Sequence, residues 1–353
     1  MKIAITADNH ILDNKSHPER LTTFGNILGK CDDLNVDQLI ICGDMFDKDI
    51  NNFADFEKVY RERKPKDLKT FVIPGNHDPD LTQGMFSISE FEVIDEPLIK
   101  ALDQKLTALF IPYKSEIAMG EAISEFHDDL EPENWLLFSH GDWTEGLRLT
   151  NSYEEGGYMP LSRSDVQITK PHKVFLGHIH LPYDGDSVYY PGSPCPINVN
   201  ETGPRRMLIF DTISRQTKAV LVDSPKIFYN ESFIVLPDEN SIDRLRHQMK
   251  ERISEWDCPE EWHDRIVVRV RVRGFSSDLQ AVREAAISTF SRFTLYDQEG
   301  PDLNELNYAD DLDRANITEK VKLWVDDLDY STEPPEPNKD DILIKALNFI
   351  YGV

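Results

Sequence analysis

Five short segments, each placed directly after an apolar run, carry residue types that bind metal ions. DNH follows residues 2–7, GDMFD follows 38–42, GNHD follows 70–73, SHG follows 135–138 and GHIH follows 173–176. A single Asp or His at a strand end is ordinarily a cap or turn residue. Five such ends, each with a Gly or Asn that permits a tight loop, instead point to one shared site. The candidate ligands are Asp8, His10, Asp44, Asn76, His140, His178 and His180. Asp8 and His10 stand two apart, as do His178 and His180, and in extended backbone such pairs face the same side and reach one ion.

Seven ligands exceed one tetrahedral site, whereas sharing Asp44 between two ions leaves room for water and substrate oxygens. A binuclear centre is the economical reading. The donors are carboxylate, amide and imidazole without thiolate. That set suits manganese first, then Fe2+ or a catalytic Zn2+, with Mg2+ fitting least because of the imidazoles.

The spacing around these segments separates strand from helix. Ile3, Ile5 and Ala7 alternate with period two, while Leu21, Phe24, Leu28 and Cys31 recur at helical spacing. Strands at 2–7, 38–42, 70–73, 106–111, 135–138, 173–176 and 207–210, with helices at 19–31 and 53–64, make an α/β layered core. Beyond residue 224 a smaller αβ unit is expected: strand 232–236, helix 242–256, strand 266–273, helix 278–290 and strand 293–296. Residues 297–341 carry fifteen acidic against four basic side chains, with Pro334, Pro335 and Pro337 between two amphipathic stretches. The expected domains are therefore 1–224, 225–300 and an acidic, helical tail at 301–353.

No apolar run approaches the roughly 20 residues that span a bilayer, and residues 3–7 enter Asp8 without a cleavage site, so a cytoplasmic protein is expected. Cys31, Cys42, Cys195 and Cys258 lie too far apart for CxxC pairing and read as reduced thiols. A formal charge of -26 excludes a protein that wraps nucleic acid through its overall charge. Any contact with DNA has to come from metals, local patches or a partner.

The combination DNH, GDMFD, GNHD, SHG and GHIH resembles the calcineurin-like metallophosphoesterases. EEGGYMPL at 154–161, LGHIH at 176–180 and YYPGSPCP at 189–196 further resemble the nuclease subunit family of the bacterial SbcCD double-strand-break repair complex, over about residues 1–224. The resemblance implies a two-sheet core flanked by helices, a small capping domain and a helical tail. It implies one metal on Asp8, His10, Asp44 and His180, and another on Asp44, Asn76, His140 and His178. His77 would ligate neither ion, and would instead face the scissile phosphate as an acid or charge stabiliser. Three positions after Asp44, where some branches carry a histidine, this chain has Asp47, as bacterial members commonly do. The implied activity is 3′ to 5′ exonuclease and single-strand endonuclease cleavage of DNA. The implied partner is an SMC-like ABC-type ATPase whose coiled coil binds the tail, with the nuclease forming a homodimer within a heterotetramer.

Other signals are weaker. GNILGK at 25–30 mimics part of a phosphate-binding loop, but its glycine spacing is one short and Cys31 stands where Ser or Thr is required. Arg269, Arg271 and Arg273 alternate with Val268, Val270 and Val272, so one strand face is a guanidinium row that reads either as a DNA-contacting edge or as a solvated face. Arg205 and Arg206 read equally both ways. In the tail, Val321, Trp324, Val325 and Leu328 form one helical stripe and Leu343, Leu347 and Ile350 another, suited to a partner or to the protein's own core. The rival functions are a small-molecule phosphodiesterase or protein phosphatase of the same fold, and an inactive partner-binding scaffold.

Overall fold

The computed structural model describes the chain except residues 14, 49, 51–52, 89, 104, 146, 149–156, 239, 297–299, 310–311, 330–337 and 353. Part of the EEGGYMPL segment, residues 154–156, lies outside this range. The chain forms two compact units, one of residues 1–197 and 204–225, the other of residues 198–203 and 226–353.

The first unit is built on two six-stranded sheets. One runs, in spatial order, Gln216–Leu221, Arg206–Asp211, Lys2–Thr6, Gln38–Cys42, Lys69–Ile73 and Phe91–Val93. The other runs Tyr183–Asp184, Val188–Tyr190, Lys173–Gly177, Trp135–His140, Thr107–Ile111 and Leu98–Ala101. Within the first sheet Lys2–Thr6, Gln38–Cys42 and Lys69–Ile73 are mutually parallel; within the second so are Thr107–Ile111, Trp135–His140 and Lys173–Gly177. Parallel strands are covered on both faces, which is why these segments read as nearly continuous apolar runs. Ile3, Ile5, Ile40, Ile73, Phe110, Leu136, Phe138, Phe175 and Phe210 fill the space between the sheets. Helices Pro18–Asp33 and Ala54–Arg63 cover the outer face of the first sheet through Phe24, Leu28, Phe56 and Tyr60. Met119, Ile123, Trp135 and Leu161 close the outer face of the second. This is the α/β layered class that the strand and helix spacing implies, with the two-sheet core that the resemblance implies.

The second unit is an αβ layer. Strand Ile227–Val235 pairs in parallel with Ile266–Ser276, which also pairs with Thr294–Leu295 and Leu306–Tyr308. Helices Ser241–Ser254 and Leu279–Thr289 bury Leu245, Met249, Val282 and Ala286 against these strands.

The tail is not a separate segment. Helices Leu312–Asp326 and Lys339–Tyr351 belong to the second unit, where Val325, Leu343 and Leu347 are buried with Leu236 and Phe275. Tyr351 stacks on Phe275 at 4.6 Å, and Arg273 reaches Asp341 at 3.1 Å. The expected stripe on the first tail helix is divided. Val325 is buried and Val321 half-buried, while Trp324 and Leu328 face solvent at 70% and 43% exposure.

The docking gives a direct expectation. Leu347→Ala, which empties a fully buried site, should lower stability in chemical denaturation by about 2–5 kcal/mol. Trp324→Ser should change it by less than about 0.5 kcal/mol. The opposite ranking would mean that the tail does not pack as described.

Candidate metal centre

The three parallel strands of each sheet end toward the segments that carry the candidate ligands, and open α/β folds bind their ligands outside such carboxyl ends. Asp8 and His10 follow Lys2–Thr6, Asp44 follows Gln38–Cys42 and Asn76 follows Lys69–Ile73. His140 ends Trp135–His140, and His178 and His180 follow Lys173–Gly177.

Asp8 and His10 do not share an extended backbone, as their spacing suggests. The strand stops at Thr6, and both residues sit in the left-handed region, at φ 54° and 44°. Asp44 (48°) and His178 (97°) are also at positive φ. Non-glycine residues adopt such angles at a cost of about 1 kcal/mol or more each, so the surrounding contacts have to enforce them. They do: the Asp8 N–H donates to the Gly43 carbonyl (3.1 Å), the His10 N–H to the Asp44 carbonyl (3.0 Å) and the His178 N–H to Asp8 Oδ1 (2.8 Å). Two glycines make the close approach feasible. A Cβ on Gly75 would stand 2.2 Å from Asp44 Oδ1, and one on Gly177 only 1.9 Å from the Cys42 carbonyl oxygen.

The side chains converge in two groups. His10 Nε2 and His180 Nε2 are 3.1 Å apart, and Asp8, His10 and His180 offer ligand atoms within 4.8 Å of one another. Asn76 Oδ1 lies 2.7 Å from His140 Nε2 and 3.1 Å from His178 Nδ1. Between the groups, Asp44 Oδ2 is 3.7 Å from His10 Nε2 and 3.5 Å from His140 Nε2. All seven residues are buried.

Burial, followed by the neighbouring His180 and His77, holds the His10 imidazole well below its ordinary pKa, so the ring is neutral. Imidazoles, carboxylates and an amide oxygen, crowded in one buried cluster, are the donor set of a borderline-hard divalent cation. Burying Asp8 and Asp44 together is otherwise costly. The residues present therefore fit a divalent metal centre.

His77 is half-buried beside this set. Its N–H donates to Asp44 Oδ1 (2.8 Å), and its ring meets His10 edge-on at 4.6 Å. A His77 ring nitrogen also comes within 4.8 Å of ligand atoms of His10 and Asp44, so distance alone does not set it apart from the ligands. Its Nδ1 faces Asp47 Oδ1 at 3.5 Å, and Asp47 also accepts from Arg20 (3.1 Å). The His77 contact, aided by Arg20, brings the Asp47 carboxyl down to about 2, although burial opposes it.

Sequence reasoning left Asp47 without a role and did not single out Asp78, Asp142 or Arg20. Asp78 accepts from the backbone of Gly75 (2.7 Å) and Phe46 (3.0 Å), tying the GNHD loop to the GDMFD loop. Burial, then Asp44, pushes its carboxyl up to about 7. The usable signal was the acidic residue closing GNHD and the one following SHG.

The basic residues resolve differently. Arg205 is buried and donates to the carbonyls of Ser193 and His180, clamping the PGSP loop to the GHIH loop. Arg206 forms a two-pronged pair with Asp184, both contacts at 2.7 Å. Arg269, Arg271 and Arg273 lie in the second unit. There Arg269 lies over the Tyr296 ring, Arg271 pairs with Asp302 and Arg273 with Asp341 and Glu305. The expected guanidinium row is thus engaged within its own unit.

Among the described residues, no helix is long and apolar enough to cross a membrane. A comparison with curated protein sequences finds no match. Several solved structures align weakly. An archaeal phosphodiesterase aligns at 17% identity, over 63% of this chain and 100% of that one, with a TM-score of 0.35. A protein of Thermus thermophilus gives 14%, 63%, 99% and 0.40, and a purple acid phosphatase from yellow lupin (Lupinus luteus) seeds gives 12%, 62%, 52% and 0.36. Likenesses at this level say nothing about substrate. The calcineurin-like phosphoesterase model, by contrast, matches residues 1–194, more than half of the 353, and the chain belongs to that family.

Proposed function

We propose that this chain is a metal-dependent nuclease that hydrolyses phosphodiester bonds in DNA. The observation that carries the reading is Asp44, a buried carboxylate placed between two groups of buried donors in a phosphoesterase-family chain. Asp8, His10, Asp44 and His180 would hold one divalent ion, and Asp44, Asn76, His140 and His178 the other, with manganese favoured by the donor set. Such ions supply positive charge to phosphate oxygens and acidify a water.

The chain's own contribution is positioning and proton management. His77, aligned by Asp47, stands at the edge of the centre, where an imidazolium stabilises charge on a departing oxygen or protonates it. Support for DNA as substrate comes from the segments that resemble the SbcCD-type nucleases, because GGYMPL and PGSP reach the histidines of the third, LGHIH. Tyr158 of GGYMPL places its ring 4.5 Å from His178, and the PGSP loop is fastened to His180 through Arg205 and a Ser193 N–H to His180 carbonyl bond (3.2 Å).

The proposed partner is a coiled-coil, SMC-like ATPase. The tail helices, though docked on their own unit, leave Leu323, Trp324 and Phe349 exposed, the last at 90%. Apolar side chains of this size on a surface helix are candidates for an interface.

Purified protein with manganese should cleave end-labelled duplex DNA much faster than a small phosphodiester or a phosphomonoester. Preference for either small substrate would contradict the nuclease reading. Asp44→Ala should abolish cleavage and reduce bound metal from two ions toward none in elemental analysis. His77→Ser should keep both ions and lose roughly 10²–10⁴-fold in rate on DNA at saturating manganese. Wild-type turnover in that variant would remove His77 from the chemistry.

A further inference from the structure

The two nitrogens of His178 face different surroundings. Nδ1 lies 3.1 Å from Asn76 Oδ1, on the side of the candidate ligands. Nε2 lies 3.5 Å from Asp142 Oδ1, and both side chains are nearly inaccessible to water. The Asp142 carboxylate is itself held in place. Its Oδ2 accepts from the Tyr158 N–H (2.9 Å), its own N–H donates to the Tyr158 carbonyl (2.8 Å), and the Leu161 N–H donates to the Asp142 carbonyl (2.9 Å). The Tyr158 ring, tilted 37° to the His178 ring, limits how far the imidazole can turn.

We propose that Asp142 is a positioning residue for the metal centre, standing behind His178 Nε2 so that Nδ1 is the nitrogen offered to a divalent cation. The inference rests on the metal-centre reading above. A ligating histidine whose far nitrogen is fixed by a buried carboxylate is oriented and made a better donor, and removing such a partner typically costs 10–100-fold in metal affinity. His140 shows the contrast: its Nδ1 lies 2.9 Å from the Cys42 carbonyl, a neutral acceptor. His178 is instead backed by a carboxyl side chain, and the effect belongs to the ion that His178 holds.

Asp142 also organises the 158–161 segment, so the test has to separate scaffolding from positioning. Asp142→Asn keeps an oxygen for the Tyr158 N–H and replaces the oxygen that faces His178 with an amide NH2. In calorimetric titration with manganese alone, wild type should take up two ions, and Asp142→Asn should bind one of them about 10–100-fold more weakly while the other stays within a few-fold. Unchanged affinity for both ions, or equal loss at both, would overturn the proposal. Absence of any uptake by wild type would instead overturn the metal-centre reading on which it depends. A second measurement needs no variant at Asp142. Nitrogen-15 NMR of the wild-type protein loaded with zinc, with the ring assigned through His178→Asn, should show the proton on Nε2 and Nδ1 bound to the metal, and a proton on Nδ1 would refute the assignment.

Discussion

Everything in the first unit follows from one electrostatic constraint: at least four carboxylates and four imidazoles are buried in or beside a single cleft at the strand ends. An isolated ionised carboxylate in such a place costs several kcal/mol when taken out of water. The chain offsets part of that cost with backbone donors: the His178 N–H on Asp8, the His77 N–H on Asp44, the Gly75 and Phe46 N–H groups on Asp78 and the Tyr158 N–H on Asp142. Glycines at 75 and 177 let the loops approach closely enough for those bonds, and the left-handed backbones at Asp8, His10, Asp44 and His178 are the strain that results. Divalent cations in the same cleft would complete the neutralisation, which is why the arrangement is intelligible as a metal centre and hard to understand as a merely structural one.

The sequence made the strands and the donors legible because both are local. Each candidate ligand ends its strand or follows within four residues of it, so period-two alternation and the residue type suffice. Partnerships across the fold are not local. Asp142 is recognisable only once Tyr158, sixteen residues on, is seen to hold it, and Asp47 only once Arg20 reaches it from the helix Pro18–Asp33 and His77 from another loop. Strand Gln216–Leu221 escaped notice for another reason. It is a half-exposed edge whose side chains show no clean alternation of apolar and polar residues.

The second unit shows how periodicity can be right and its interpretation incomplete. Val268, Val270 and Val272 are buried and the intervening arginines are not, as the alternation requires. Yet Arg271 and Arg273 are neutralised by Asp302, Glu305 and Asp341, carboxylates whose pairing follows from the docking of Leu306–Tyr308 and the last helix. The tail is similar. Its apolar residues outnumber the positions that one docking face can bury, so Val325 goes inward and Trp324 is left outside. Own-core packing and partner binding, opposed at the level of sequence, are compatible on opposite faces of one helix.

The central claim is a binuclear centre organised around Asp44, and anomalous X-ray scattering from crystals grown with manganese tests it most directly. Two peaks are expected, one among Asp8, His10 and His180 and one among Asn76, His140 and His178, both in contact with Asp44. A single peak, or two that do not share Asp44, would contradict the account.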